Sequence, residues 1–367
     1  MPILLRLLFK LALFSSLLIG NPTPPVPYVM AAPCAVPLSN GQHADCMYLI
    51  VYEDREAHNG RTIKLPVVLF HSRALKPEPD PVVFTVGGPG NSTVRDVRSG
   101  SDFKSLDNRD LIIFEQRGSE YAQPHLACPE FNAADASSSD HNLTFEQAGK
   151  AQAAAAHLCY RRLSGAGVHL SAYNTSAIAD DVADLRTALG LDKLDLLGLS
   201  YSTAIDLEVV RRHPEIVRSV VLDSVLPLDA HYDEVADANV LRSLHAIFDG
   251  CAVDPSCSRT YPNLTMAFRR LVERLNSRPV EVTLRGTAGT SIKYAMSGRN
   301  AVEAIYGVGL QSPELLPDVP WIVWQAYFYD YSPLLRWVQE NIGAPQYSYG
   351  ARLSVICHDW YPFERRL

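Results

Sequence analysis

A serine framed by small residues is the strongest chemical signal in the chain. Gly198-Leu-Ser200-Tyr-Ser202 follows the apolar stretch that starts at Leu191, and Ala204, Ile205 and Val209 then continue with helical spacing to His213-Pro214. That succession reads as a nucleophile elbow, in which a serine at the tip of a strained strand-to-helix turn lifts its hydroxyl clear of a sheet. The usual form is Gly-x-Ser-x-Gly. Here Ser202 takes the place of the second glycine and brings a Cβ with it. A hydroxyl presented in this way suits nucleophilic acyl transfer, provided that a base takes its proton and donors hold the oxyanion. Gly87-Gly88-Pro89-Gly90 closes the apolar run Pro81 to Val86 and could offer such donors. Taken alone, the same cluster fits a plain turn equally well.

The surrounding elements would have to bring these residues together. Cys46–Tyr52 and Ile63–Phe70 alternate in the manner of a hairpin, separated by a polar turn. Pro81–Val86 and Leu111–Glu115 are continuous apolar runs, suited to strands covered on both faces. Asn174 heads a helix with Ile178, Val182, Leu185 and Leu189 on one face and Gly190 as its stop. Val217–Leu222 is a further strand ending at Asp223. Strand and helix alternate, which predicts an α/β fold with a largely parallel sheet and right-handed crossovers. Gly88, Ser200 and Asp223 then fall at the carboxyl ends of strands, where ligands bind in such sheets. Arg117 is expected to brace loops against an acidic neighbour, and the Ala- and Ser-rich stretch from Cys128 to Cys159 to form a surface excursion. Residues 228–350 read as a helical, aromatic-rich cap over the site.

Composition narrows the function further. The 367 residues carry 33 Lys and Arg against 40 Asp and Glu, a net charge of -7, and no basic stripe that would track nucleic-acid phosphates. Nucleic acid is excluded as an expected partner. Arg6 and Lys10 flank a leucine-rich start, followed by the uncharged run 11–20, so residues 1–32 read as an export signal cleaved near Ala32 rather than as a bilayer span. The seven cysteines fall into local pairs, giving expected bridges 34 to 46, 128 to 159 and 251 to 257, with Cys357 left over. Such pairing suits a secreted or periplasmic protein. No Cys-x-x-Cys accompanies a histidine pair, so no metal is expected, and the chemistry needs no organic cofactor.

Taken together, these motifs resemble the secreted tripeptidyl aminopeptidase and prolyl aminopeptidase group of α/β-hydrolases. The likeness rests on Gly87-Gly-Pro-Gly90, Glu115-Gln-Arg-Gly118, Leu126-Ala-Cys-Pro-Glu130, Gly198-Leu-Ser-Tyr-Ser-Thr203, Val221-Leu-Asp-Ser-Val225 and Val355-Ile-Cys-His-Asp359. It implies an α/β-hydrolase core over residues 33–227, a helical cap over 228–350 and a return to the core over 351–367. Ser200 would be the nucleophile, the amides of Gly88 and Tyr201 the oxyanion hole, and a peptide or small ester the substrate. Glu115 stands where the group has Asp, and Ser202 where it has Gly. The group places its acid and histidine beyond the segment resembling 355–359, so the resemblance implies an incomplete version whose last strands, acid and base lie past Leu367. The internal candidates are Asp223 as acid and His358 as base, although Asp359 on an extended segment would point away from its neighbour. A silent relative that binds peptides without cleaving them, or an esterase, are the alternative readings.

Overall fold

The computed structural model describes residues 25–39, 44–100, 103–140, 143, 145–285, 291–310, 312–341 and 347–363. The leader assigned from sequence lies mostly outside them, in residues 1–24. Within the stretch assigned to it, Tyr28–Ala31 forms strand β1 and pairs antiparallel with β2 (Ala44–Tyr52). Val29 packs on the main core, so this segment belongs to the sheet.

Seven strands form the sheet in the order β1-β2-β3-β5-β4-β6-β7, with β3 spanning Thr62–Phe70, β4 Val82–Thr85, β5 Leu111–Phe114, β6 Leu194–Leu199 and β7 Val217–Asp223. The expected hairpin is present as β2 and β3. Three pairings beyond β3, those of β5 with β4, β4 with β6 and β6 with β7, are parallel. β4 and β5 are buried at every position, as continuous apolar runs require. The chain runs from β4 to β5 on one side and then crosses back past β4 to β6 on the other, so strand order reverses at β4. That reversal is the natural crevice of an α/β sheet.

Helices position the strands. The surface excursion from Cys128 to Cys159 is built of two helices, α1 (Pro129–Asp140) and α2 (Phe145–Gly165), and is pinned by its disulfide. α3 (Thr175–Ala188) starts at Asn174, whose side chain accepts the Ala177 N–H, and buries Ile178, Val182 and Leu185 against the sheet. α4 (Tyr201–Arg212) buries Ala204, Ile205 and Val209 in the same core. Beyond β7 lie α5 (Tyr232–Val253), α6 (Leu264–Ser277), α7 (Val319–Tyr327), α8 (Ser332–Asn341) and α9 (Tyr349–Val355). α5 to α8 share a second core around Leu271, Leu275, Ile322 and Trp337. The region expected to be helical also holds a hairpin of β8 (Val280–Arg285) and β9 (Ser291–Met296). Within the aromatic run, Trp324 joins the second core whereas Phe328 and Tyr329 are exposed. Bridges 34 to 46, 128 to 159 and 251 to 257 are all present, and Cys357 is free. Among the described residues no helix is long and apolar enough to cross a membrane.

Arg117 is the main polar brace. Its guanidinium is fully buried and grips Asp181 with two bonds, Nε to Oδ2 at 2.7 Å and Nη2 to Oδ1 at 2.6 Å. Nη1 donates to the carbonyls of Glu53 and Ala172, so one side chain ties the end of β2, the loop after β5 and the approach to α3. Arg55 adds a second cation to Asp181. Removing Arg117 leaves the buried Asp181 with Arg55 as its remaining cation and strips the Glu53 and Ala172 carbonyls of the Arg117 donor, a loss of the size seen when a buried pair is broken. Arg117→Ala is therefore expected to lower stability by about 3–5 kcal/mol, read from urea unfolding. A loss under about 1 kcal/mol, the range of an exposed pair, would show that the brace carries no load.

Candidate active site

The register of β4 with β6 pairs Thr85 with Gly198, so two residues further on Gly87 meets Ser200. Contact there is close enough to require glycine. A Cβ on Gly87 would lie 2.7 Å from Ser200 Cβ and 3.0 Å from its Oγ. Gly88 adopts φ +132°, a conformation that side-chain-bearing residues avoid, and its carbonyl accepts a bond from Arg352 Nη1 at 2.8 Å. The sequence singles out Gly88, but Gly87 is the residue directly against the serine.

Ser200 occupies the turn between β6 and α4 at φ 60° and ψ -124°. A positive φ at a non-glycine residue costs on the order of 1–3 kcal/mol and persists where surrounding bonds enforce it. Here those bonds are visible. The Ser200 N–H donates to the Asp223 carbonyl at 2.9 Å, and its own carbonyl accepts from the Thr203 N–H at 2.9 Å and the Thr203 hydroxyl at 2.6 Å. The residue is exposed, and its Oγ makes no hydrogen bond with any described residue.

Ser202 turns the missing glycine into a brace. Its fully buried hydroxyl accepts the Leu199 N–H at 2.7 Å and donates to the Thr85 carbonyl at 2.7 Å, joining the elbow to the end of β4. The steric cost expected of its Cβ is offset by these two bonds. Gly198 is the position that cannot change, since a Cβ there would lie 2.5 Å from Asp206 Oδ2. Glu115 likewise replaces Asp without losing the brace. Its buried carboxylate accepts the Ser92 hydroxyl and the Val94 N–H at 3.1 Å each, and the Tyr121 N–H at 3.3 Å. Burial pushes its pKa up against these bonds.

Tyr201 is buried, and its phenol bonds Thr175 Oγ1 at 2.8 Å; burial raises the phenol pKa, with the Asp359 charge adding to it. Asp223 lends its carbonyl to Ser200, while its exposed carboxylate accepts only the Ser224 hydroxyl among the described residues. His358 lies in a helical turn, not an extended segment, and this corrects the expectation for its neighbour: Nδ1 and Asp359 Oδ1 are 2.8 Å apart. His358 borders a largely apolar cleft of about 310 Å³ with Leu163, Leu353 and Cys357, and Ser200 is not among its walls. The structure sets Gly87 against Ser200, with Gly88 and Tyr201 as their neighbours along the chain; it joins His358 to Asp359 instead. Cys128, Glu130 and Cys159 cluster within ligand distance of one another, but both sulfurs are tied in a disulfide and offer no thiolate to a metal.

The alpha/beta hydrolase fold family model matches residues 80–250, which hold β4 to β7 and both glycine-bearing turns. The chain has the α/β-hydrolase fold. It is similar to the serine protease Hip1 of Mycobacterium tuberculosis, 26% identical over 217 residues, covering 57% of this chain and 41% of that protein. It is also similar to a tripeptidyl aminopeptidase of Streptomyces coelicolor, 27% identical over 203 residues, covering 53% of this chain and 37% of the other. The match thus spans about two fifths of the length of these relatives. Among solved structures, a putative epoxide hydrolase from Pseudomonas aeruginosa is 13% identical with a TM-score of 0.32, over 88% of this chain and 74% of that one.

Asp206 sits under the elbow with Oδ2 buried and unpartnered, and burial pushes its pKa well up. Because the folded state binds this proton more tightly than the unfolded chain, the carboxyl is harmless below its ordinary range and destabilising as the pH climbs above it. Asp206→Asn is expected to stabilise the protein by about 1–3 kcal/mol at pH 8, with the gain vanishing near pH 4. Urea unfolding of both proteins at the two pH values measures it, and a gain independent of pH would contradict the assignment.

Proposed function

We propose that the chain is an exported serine hydrolase, most naturally an aminopeptidase releasing N-terminal residues or short peptides, with Ser200 as its nucleophile. The observation that carries this reading is the exposed Ser200 hydroxyl, held on a positive-φ turn against the glycine-only contact at Gly87. Ser200 Oγ bonds to the acyl carbon while its proton passes to a base. The resulting oxyanion is held by the main-chain N–H groups of Gly88 and Tyr201. Collapse breaks the C–N bond, the amine leaves with a proton, and water hydrolyses the acyl-serine to regenerate the hydroxyl. No metal or organic cofactor enters these steps. The region after β7 serves as the cap that selects the acyl group. Names of the relatives, a serine protease and a tripeptidyl aminopeptidase, support a peptide substrate over a short ester. Three disulfides support export to an oxidising compartment.

One observation favours a second reading. Among the described residues no imidazole bonds to Ser200 Oγ: His213 is paired with Asp180, His125 with Ser348 and His358 with Asp359. A chain without a base in reach would bind peptides and turn them over slowly, since triad members act as a unit.

A fluorophosphonate probe separates the possibilities. Wild type is expected to be labelled and Ser200→Ala to lose the label; equal labelling of both would remove Ser200 from the role. Comparing an aminoacyl-nitroanilide with short acyl esters then separates peptidase from esterase, and turnover of neither by a labelled protein would favour the silent relative.

A further inference from the structure

The stretch from Ser348 to Trp360 touches both halves of the proposed oxyanion site, the glycine turn through Arg352 and Ser348 and the start of α4 through Asp359 and Trp360. We propose that it is a clamp that positions those two donors, with Arg352 and Asp359 as its positioning residues; the inference rests on the reading of Ser200 given above.

On the glycine side, Arg352 Nη1 donates to the Gly88 carbonyl at 2.8 Å, and its guanidinium is steadied over the Tyr347 ring at 4.5 Å. The Ser348 N–H donates to the Gly90 carbonyl at 2.9 Å. Ser348 is in turn held through its hydroxyl by His125 Nε2 at 3.0 Å. Burial lowers the His125 pKa, which keeps this imidazole neutral at ordinary pH. No carboxylate pairs with Arg352 among the described residues, so the Gly88 carbonyl is its one hydrogen-bond acceptor there. Glycines rotate freely unless something fixes their peptide planes. The Gly88 N–H belongs to the peptide plane between Gly87 and Gly88, flanked by the Val86 carbonyl, which accepts from Gln116 Nε2 at 2.7 Å, and by the Gly88 carbonyl held by Arg352, so the Arg352 bond restricts the rotation that aims this N–H.

On the elbow side, Asp359 Oδ2 accepts both the Thr175 N–H at 2.8 Å and the Thr175 hydroxyl at 2.5 Å. A carboxylate can only accept, so Thr175 Oγ1 spends its proton there and must itself accept from the Tyr201 hydroxyl, 2.8 Å away. The Trp360 ring meets the Tyr201 ring edge-on at 6.1 Å. Tyr201 is thereby pinned at its far end, and its main-chain N–H, the next after Ser200, is pinned with it. Oxyanion donors are effective because they are already in place when charge develops, and a misplacement of about 1 Å costs on the order of a hundredfold in rate.

The rate of phosphonylation by a fluorophosphonate reads this directly. In that reaction Ser200 Oγ bonds to phosphorus, fluoride leaves, the serine proton passes to a base, and the P=O oxygen takes the oxyanion position. Arg352→Met and Tyr201→Phe are each expected to slow labelling by about tenfold or more, with thermal unfolding of the folded protein little changed and Arg352→Lys recovering part of the loss. Tyr201→Phe removes a single oxygen and serves where Asp359→Ala fails to fold. Labelling of Arg352→Met and Tyr201→Phe at the wild-type rate would overturn the clamp while leaving Ser200 in its role. A lowered melting temperature with an unchanged rate would overturn it too, as a merely structural contact. A wild type that takes no label would sink the Ser200 reading and the clamp together.

Discussion

The parallel pairing of β4 with β6 is the constraint on which the site depends. Its register sets Thr85 beside Gly198, and the two strands then leave the sheet in turns that face each other. From that point the chemistry of individual positions is dictated by space. Gly87 has no room for a Cβ because Ser200 is there, and Gly198 has none because Asp206 and the Ser202 main chain are there. A shift of one residue in this register would turn every buried side chain of β6 to the other face and separate the two turns. The apolar content of β4, buried at all four positions, makes such a slip expensive.

Around this pairing the protein uses polar groups to lock irregular backbone rather than to add bulk stability. Ser202 bridges the elbow to β4, Asp223 holds the Ser200 amide through its carbonyl, and Glu115 gathers a hydroxyl and two amides behind the glycine loop. Further out, Arg117 and Asp181 join segments far apart in the chain. Buried ions are weak sources of net stability, but they penalise any arrangement that leaves one partner alone. They therefore suit a site that must hold one strained geometry. Asp206 is the exception, a buried carboxyl with an unpartnered oxygen close beneath the turn.

Much of this was legible in the residues. Apolar runs announced β4 and β5, alternation announced β2 and β3, and the Asn174 cap with its apolar face announced α3. Gly-x-Ser between a strand and a helix located the elbow, and local cysteine spacing gave all three bridges. What escaped had weak or distant signals. Tyr28–Ala31 pairs as a strand but follows a leader-like, proline-rich stretch that masked it. α1 and α2 are rich in Ala and Ser; α1 carries no marked apolar stripe, and the face that α2 buries is made largely of Ala148, Ala155 and Cys159, a weak signal in the sequence. β8 does alternate, as Val-Glu-Val-Thr-Leu-Arg, but sits in a region otherwise helical. The tie between Arg352 and Gly88 spans 264 positions and has no local pattern at all. The His358–Asp359 contact has no signature in the sequence either: an extended segment would part the two side chains, whereas the helical turn they occupy lets them converge.

The central claim is that the Ser200 hydroxyl faces main-chain donors supplied by the glycine turn and the start of α4. A crystal structure of the phosphonate adduct tests it most directly. Phosphorus is expected on Ser200 Oγ, with the phosphonyl oxygen about 2.7–3.1 Å from the main-chain nitrogens of Gly88 and Tyr201, the range of a working oxyanion hole. An adduct on another residue, or an oxygen turned toward solvent with both nitrogens out of reach, would contradict it.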